Sequence, residues 1–357
     1  MTIYFIAALL PALFEFIFEY TGSATISPKS RRNRIRIYML ICSIPMFMIL
    51  GLRAHSIGTD TIQYVAHFRN VSRLSFSEAL NYSNKDEPML YLLMYFTSRI
   101  SDDPSLFLCL VALIMVLCFF AFVDDSDDGE LPATFFHITL GTFFFLITGM
   151  RQGLAISFCL FSVRFVKKRK LIPFALLMAL SFFTHRSSIM FAVVYFISNC
   201  KLSFYNFALL ALASLIFIMF IESFQSWFND AIEYDYDMEA TGNGGIFLMV
   251  VILMNVLSLT MSKAVLEKYP DTLILYNINF IALVLWIARL FTRTAERPSY
   301  YFLPATFVIT AISIHEIKRP HVKLMVTLVV ACLCCILMYH RLSSAVSMNP
   351  FIFFWEK

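Results

Sequence analysis

The sequence predicts an all-α, polytopic integral membrane protein of about twelve spans, and three observations carry that prediction. Of its 357 residues, 59% are hydrophobic and only 15% charged, and the mean hydropathy is +0.75. A soluble domain must cover itself with polar side chains, and the long charge-free runs here leave too few to do so. The basic residues gather in short loops between apolar runs, the pattern by which a multi-pass chain marks its cytoplasmic side. One membrane domain over 1–357 follows, with no room for a soluble catalytic domain.

The N-terminal stretch MTIYFIAALLPALFEFIFEY carries Glu15 and Glu19 and lacks both a basic leader and a small-residue cleavage site, so it reads as a first span, not a signal peptide. A span needs about 20 apolar residues. The candidates are 2–19, 35–52, 104–123, 131–149, 151–166, 171–185, 187–199, 203–221, 245–261, 272–291, 299–314 and 321–340. Lys29, Arg31, Arg32, Arg34 and Arg36 place the first connection in the cytoplasm, and the KKRK run Lys167 to Lys170 gives the next such signal. With both inside, the loop 52–103 faces outward. Pro88 to Ile100 is apolar but short, and counting it as a span would force KKRK outside, so it reads as an interfacial or re-entrant helix on the outer face. Lys263, Lys268, Lys318, Arg319 and Lys323 agree with this alternation. Asp124 to Glu130 (DDSDDGE) reads as a solvated inner turn. The second outer loop, 222–245, reads as a lid hinged on Gly242, Gly244 and Gly245. The eight cysteines fall in or beside apolar runs and read as buried thiols; the CxxC spacing of Cys332 and Cys335 lies in a helix at lipid depth, unsuited to redox or zinc chemistry.

Polar groups then collect on the outer face. Gly51 to Tyr64, GLRAHSIGTDTIQY, breaks an apolar run, with Arg53 and Asp60 on either side of Gly58, so one loop offers a cation and a carboxylate to a single ligand. A solvated loop holding one ion pair is the plainer alternative. To the same face the alternation brings Glu87, Arg151 and Gln152, His185 and Arg186, and then Arg289, Arg293, Glu296 and Arg297. Taken singly, each arginine serves equally well as an interfacial anchor.

The run RAHSIGTDTIQY resembles the hallmark of the EpsG-type, Wzy-like exopolysaccharide and O-antigen repeat-unit polymerases: an Arg, then Ile-Gly-Thr-Asp-Thr and a Tyr (here Tyr64) after an early span. Further pieces follow in family order. Glu87 precedes PMLYLLMYF; Arg151, Gln152 and Ala155 match Arg-Gln-x-x-Ala; His185 and Ser187 match Phe-His-x-Ser; and Arg297, Tyr301 and Phe302 are similar to a late Arg-x-x-x-Tyr-Phe. The likeness covers roughly residues 40 to 305, and the C-terminal NPFIFFWEK only half matches the family's Pro-Tyr-Lys. The resemblance implies a GT-C-like membrane glycosyltransferase of the bacterial inner membrane. Its active site would face the periplasm and join oligosaccharide repeat units carried on undecaprenyl diphosphate. Membrane lipid and a chain-length regulator are the implied partners, with no nucleic acid.

Such a reaction needs fixed cations for the leaving diphosphate and a base for the acceptor hydroxyl. Arginine suits the first task because its planar fork binds phosphate oxygens in pairs and stays charged at low dielectric. Arg53 and Arg151 are the catalytic candidates, with His185 as base and Asp60 as the orienter that holds Arg53 in place; the alternative makes Asp60 the base. Gln152, Glu87, Tyr64, Arg186, Arg289, Arg293 and Arg297 are the expected substrate-binding set. No cofactor or metal is expected, since arginines take the cation's role; the alternative is the Asp235–Asp237 pair (DYD), which is similar to the metal-binding pair of nucleotide-sugar transferases. An O-antigen ligase using the same donor, and a non-enzymatic flippase for the lipid-linked unit, are the competing functions. A flippase would carry polar residues through both leaflets, whereas here they gather on one face.

Overall fold

The computed structural model describes residues 1–20, 27–82, 87–126, 128–203, 205, 244–291 and 295–356. Among them the chain is all-helical, without strands apart from one isolated bridge between Arg53 and Phe353. In order come α1 (Thr2–Tyr20), α2 (Pro28–Gly51), α3 (Thr61–Val71), α4 (Phe76–Leu80), α5 (Met89–Ser98), α6 (Pro104–Asp124), α7 (Glu130–Thr139), α8 (Thr142–Thr148), α9 (Met150–Lys167) and α10 (Leu171–Thr184). A 3₁₀ turn (Arg186–Ala192) leads into α11 (Val193–Ile197), followed by α12 (Gly244–Lys268), α13 (Leu273–Ala288), α14 (Glu296–Ser299), α15 (Leu303–His315) and α16 (Pro320–Ser344).

Six of the described helices are long and apolar enough to cross a membrane, or seven if the bent pair α7 and α8 counts as one span. The expected twelve is not reached among the described residues, and the reason is length. At about 1.5 Å per residue, the 14 residues of α10 and the 13 of α15 fall short of a hydrocarbon core of about 30 Å. The whole of α15 from Leu303 to Ile314 is buried by protein, so its apolar run is bundle core and not a lipid-facing surface. Helix α9 is longer but carries Arg151, Arg164 and Lys167. The expected span 203–221 apart from 203 and 205, residues 222–243 of the lid with its DYD, and Arg293 lie outside the described residues, while Gly244 and Gly245, expected as part of the lid's hinge, open α12. As expected, Pro88 to Ile100 forms no span: α5 has only ten residues and packs on α3, α4 and α6.

The bundle has two chemically different ends. At one, the acidic segment 124–130 is not the solvated turn its composition implied. Arg36 forks onto Asp124 at 2.8 and 2.9 Å, Arg164 onto Asp125 at 2.9 and 3.0 Å, and Arg31 pairs with Asp128. Lys268 meets Glu316 at 2.7 Å, and Lys323 meets Glu19 at 2.5 Å. The expected cytoplasmic loops are thus stitched together by ion pairs. Nor are all the thiols buried: Cys200 and Cys332 are exposed.

Buried polar side chains of the interior pair across helices. Asn279 donates to Asn255 Oδ1 at 2.8 Å, and the Tyr276 hydroxyl donates to the Ser258 carbonyl at 2.9 Å. The break between α7 and α8 bends the chain by 54° at Gly141, whose φ is +89°. The Arg341 guanidinium fills the space a side chain there would need and donates to the Leu140 carbonyl at 3.1 Å. That bend delivers α8 and the start of α9 to the other end, where the sequence motifs lie.

Candidate functional site

Glu87 is the residue around which this end is built. It stands just before Pro88 and α5, and its side chain has no exposed surface. A carboxylate in such a place must be met by fixed donors. Arg151 Nη1, from the first turn of α9, lies 3.0 Å from Oε2; His185 Nδ1 lies 3.1 Å from Oε1; and the Arg186 backbone N–H donates to Oε1 at 2.8 Å. The local sequence explains the last two. Helix α10 stops at Thr184, His185 takes an extended conformation (φ −158°, ψ 115°), and a 3₁₀ turn begins at Arg186, whose opening amide has no partner within its own helix. The first-turn amide of Arg151 donates to the Tyr64 hydroxyl on α3 at 3.4 Å. Three segments distant in sequence thereby meet at one carboxylate, and α3 joins them through the Arg151 amide.

Burial alone would raise the Glu87 pKa. The hydrogen bond from His185 and the positive charge around it, Arg151 included, outweigh that effect with help from the Arg186 amide, and Glu87 is held below the ordinary carboxylate value. For His185 burial wins: its pKa is lowered, although the bond to Glu87 works the other way, and the charges of Arg151 and Arg297 add to the lowering. The ring is neutral at pH 7. With Nδ1–H directed at Glu87, a tautomer inferred from the contact, Nε2 is its basic atom.

A second layer closes around this centre. Gln152 Nε2 donates to the Arg297 carbonyl at 2.9 Å, and Ser187 Oγ meets the Tyr301 hydroxyl at 3.0 Å. Arg289 is buried and paired with Glu296 at 3.0 Å, and Glu296 also accepts from Tyr300, whose ring stacks on Phe145 at 4.5 Å. The Arg297 side chain is exposed.

Arg53 is placed differently from the expectation. Its guanidinium turns into the bundle, donating to the Leu50 carbonyl, to the Ile147 carbonyl at 3.4 Å and to Thr61 Oγ1 at 3.5 Å, which ties the end of α2 to α8 and α3. Burial pulls its pKa down to about 10, so it stays charged at neutral pH. Asp60 does not tether it; the carboxylate accepts from Thr59 at 3.0 Å and is partly exposed. The carboxylate paired with His185 is that of Glu87. Expected as a substrate ligand, Glu87 has both oxygens occupied by protein donors. The motif loop is further pinned by the C-terminal segment, from which the sequence offered nothing firm. Ala54 N–H donates to the Ile352 carbonyl at 2.8 Å, Gly58 N–H to that of Ser347 at 2.9 Å, and Phe354 N–H to that of Leu52 at 3.0 Å. The half-matched family ending, Pro350 onward, was the one signal available for this contact.

At the opposite end, a cavity of about 410 Å³ opens among α1, α7, α15 and α16, and no motif residue lines it. Glu15, Glu19 and His315 bring potential ligand atoms within 4.8 Å of one another there, but Lys323 already sits 2.5 Å from Glu19 and supplies the positive charge.

Neither the curated proteins nor the solved structures contain a match to this chain. The profile of the EpsG family matches residues 36–353, which take in the motif loop, Glu87, the Arg151 and His185 elements and the C-terminal strap. The chain therefore belongs to the EpsG family.

Proposed function

We propose that this protein is a membrane glycosyltransferase that polymerises polyprenyl-diphosphate-linked oligosaccharide repeat units into an exopolysaccharide or O-antigen. It works in the bacterial inner membrane, at the periplasmic end of the bundle. The observation that carries the reading is the Glu87 centre. One buried carboxylate aligns a neutral imidazole and an arginine, and Arg186 follows directly in the chain, all at the end opposite the basic loops. An all-helical bundle with its chemistry at one membrane face accords with a GT-C-like transferase, and family membership supports the substrate class.

In the reaction the acceptor sugar hydroxyl attacks the anomeric carbon of the donor. A glycosidic C–O bond forms, the C–O bond to diphosphate breaks, and the polyprenyl diphosphate leaves with the bonding electrons. His185 Nε2 takes the hydroxyl proton. Glu87 holds the ring in the tautomer that permits this and stabilises the imidazolium that results. Arg151 and Arg186 meet the charge that grows on the leaving diphosphate, with the paired N–H geometry that phosphate oxygens fit. Arg289 and Arg297 line the approach. Arg53 acts at one remove, holding the loop that carries Asp60 and Tyr64.

The test is reconstitution of the purified protein in liposomes with the lipid-linked single repeat unit extracted from cells lacking it. A glycan ladder is the expected product. Transfer to a lipid A core without a ladder would mean a ligase, and movement of the unit across the bilayer without new linkages would mean a flippase.

A further inference from the structure

Helix α3 buries Thr61, Val65, Phe68 and Val71, which leaves Tyr64 and His67, three residues apart, as neighbours along its adjoining face. The Tyr64 hydroxyl is bonded to the Arg151 amide, so His67 stands one helical step from the ionic centre. Tyr91 follows Glu87 by four residues through Pro88, whose backbone is already helical (φ −74°, ψ −18°), and so projects from the same side of α5 as Glu87. Between them lies Tyr82. The three rings touch edge to face, with centroids 5.7 Å apart for His67–Tyr82, 5.7 Å for His67–Tyr91 and 5.1 Å for Tyr82–Tyr91. The Tyr82 hydroxyl is fixed by His67 Nδ1 and by Asn70 Nδ2, each at 3.2 Å. His67 and Tyr82 are half-buried and Asn70 is exposed, so the cluster has an open rim.

Tyrosines alone at this depth would be an interfacial belt. A histidine and an asparagine locked onto one tyrosine hydroxyl are not part of that pattern. Together they present fixed ring surface edged by an imidazole, an amide and a phenol, which matches a pyranose: apolar C–H faces bounded by hydroxyls. Burial, and then the charge of Arg151, lower the His67 pKa, so at pH 7 the ring accepts or donates hydrogen bonds without a charge of its own. We infer that His67 and Tyr82, with Asn70 at the rim and the buried Tyr91 ring backing them, form a shelf beside the Glu87 centre that binds a sugar ring of the acceptor glycan. This inference rests on the polymerase reading and names its acceptor subsite.

The probe is the glycan released by mild acid from the lipid-linked single repeat unit of cells lacking this protein. It is titrated by saturation-transfer NMR against the full chain in nanodiscs, and polymerisation of the intact lipid-linked unit is measured in parallel. Tyr82→Leu should weaken glycan binding about ten-fold and raise the acceptor KM to match while leaving kcat near wild type, and Tyr82→Phe, which keeps the ring, should recover most of the loss. His67→Leu carries the same expectation should Tyr82→Leu fail to fold. Arg151→Lys should bind the glycan normally and polymerise roughly thirty- to a thousand-fold more slowly. Equal glycan affinity in wild type and in folded Tyr82→Leu or His67→Leu overturns the shelf. A wild-type protein that binds the glycan through Tyr82 yet builds no polymer leaves the shelf standing and overturns the polymerase reading.

Discussion

Removing the shared acceptor at Glu87 takes a charged partner from an arginine, an imidazole N–H and a backbone amide in a largely buried place. Glu87→Ala should therefore cost about 3–5 kcal/mol of stability, read as a large drop in the thermal midpoint in detergent. Arg151 differs from Glu87 in being partly exposed, and its role depends on a planar fork that lysine lacks. Arg151→Lys should lose about 2–4 kcal/mol of transition-state stabilisation, or roughly thirty- to a thousand-fold in kcat, with a thermal midpoint near wild type. Full activity in that variant would make the charge a mere anchor. The pH profile follows from His185. Its pKa is lowered by burial from the free value of about 6.5, and a general base works only above its own pKa, so activity should persist as the pH falls through 6.5 and fail at lower pH. An acid limb of kcat/KM at or above 6.5 would contradict the assignment.

The elements that place these residues are breaks as much as helices. Gly58 has φ +93°, and a Cβ there would come within 2.8 Å of both the Ile147 carbonyl and Thr61 Oγ1, two of the acceptors of Arg53. Gly58→Ala should thus cost about 1–3 kcal/mol and loosen the motif loop, seen as faster proteolysis between α2 and α3. The helical character and the short helix near Pro88 were legible in the sequence, because hydropathy reports directly on burial, and the motif order had already grouped Glu87, Arg151 and His185, which the structure brings together. The span count was not. Apolar runs such as Leu303–Ile314 look alike whether lipid or protein covers them. Side-chain pairing was equally hidden. Arg53 and Asp60 share a loop, yet Arg53 is drawn to carbonyls at the end of α2 and in α8, while the carboxylate that orients His185 lies 98 residues upstream of it. Chain proximity favoured the wrong partner because nothing local records which groups the bundle buries.

At the scale of the molecule, charge is divided between two ends, and the mechanism depends on which end faces out. On a cysteine-free background, single cysteines at the exposed positions Thr59 and Ser77 should react with an impermeant maleimide in intact spheroplasts, and one at Asn33 should not; the reverse pattern would place the Glu87 centre in the cytoplasm. With arginines proposed to meet the leaving diphosphate, polymerisation should survive EDTA. Activity lost to EDTA and restored by magnesium would move attention to Asp235 and Asp237. The most direct test of the central claim, that the Glu87 centre carries out the transfer with His185 as base, is His185→Gln measured in parallel for donor binding and for polymer. Binding of the lipid-linked unit is expected close to wild type, with no glycan ladder. A ladder of wild-type length from His185→Gln would contradict it.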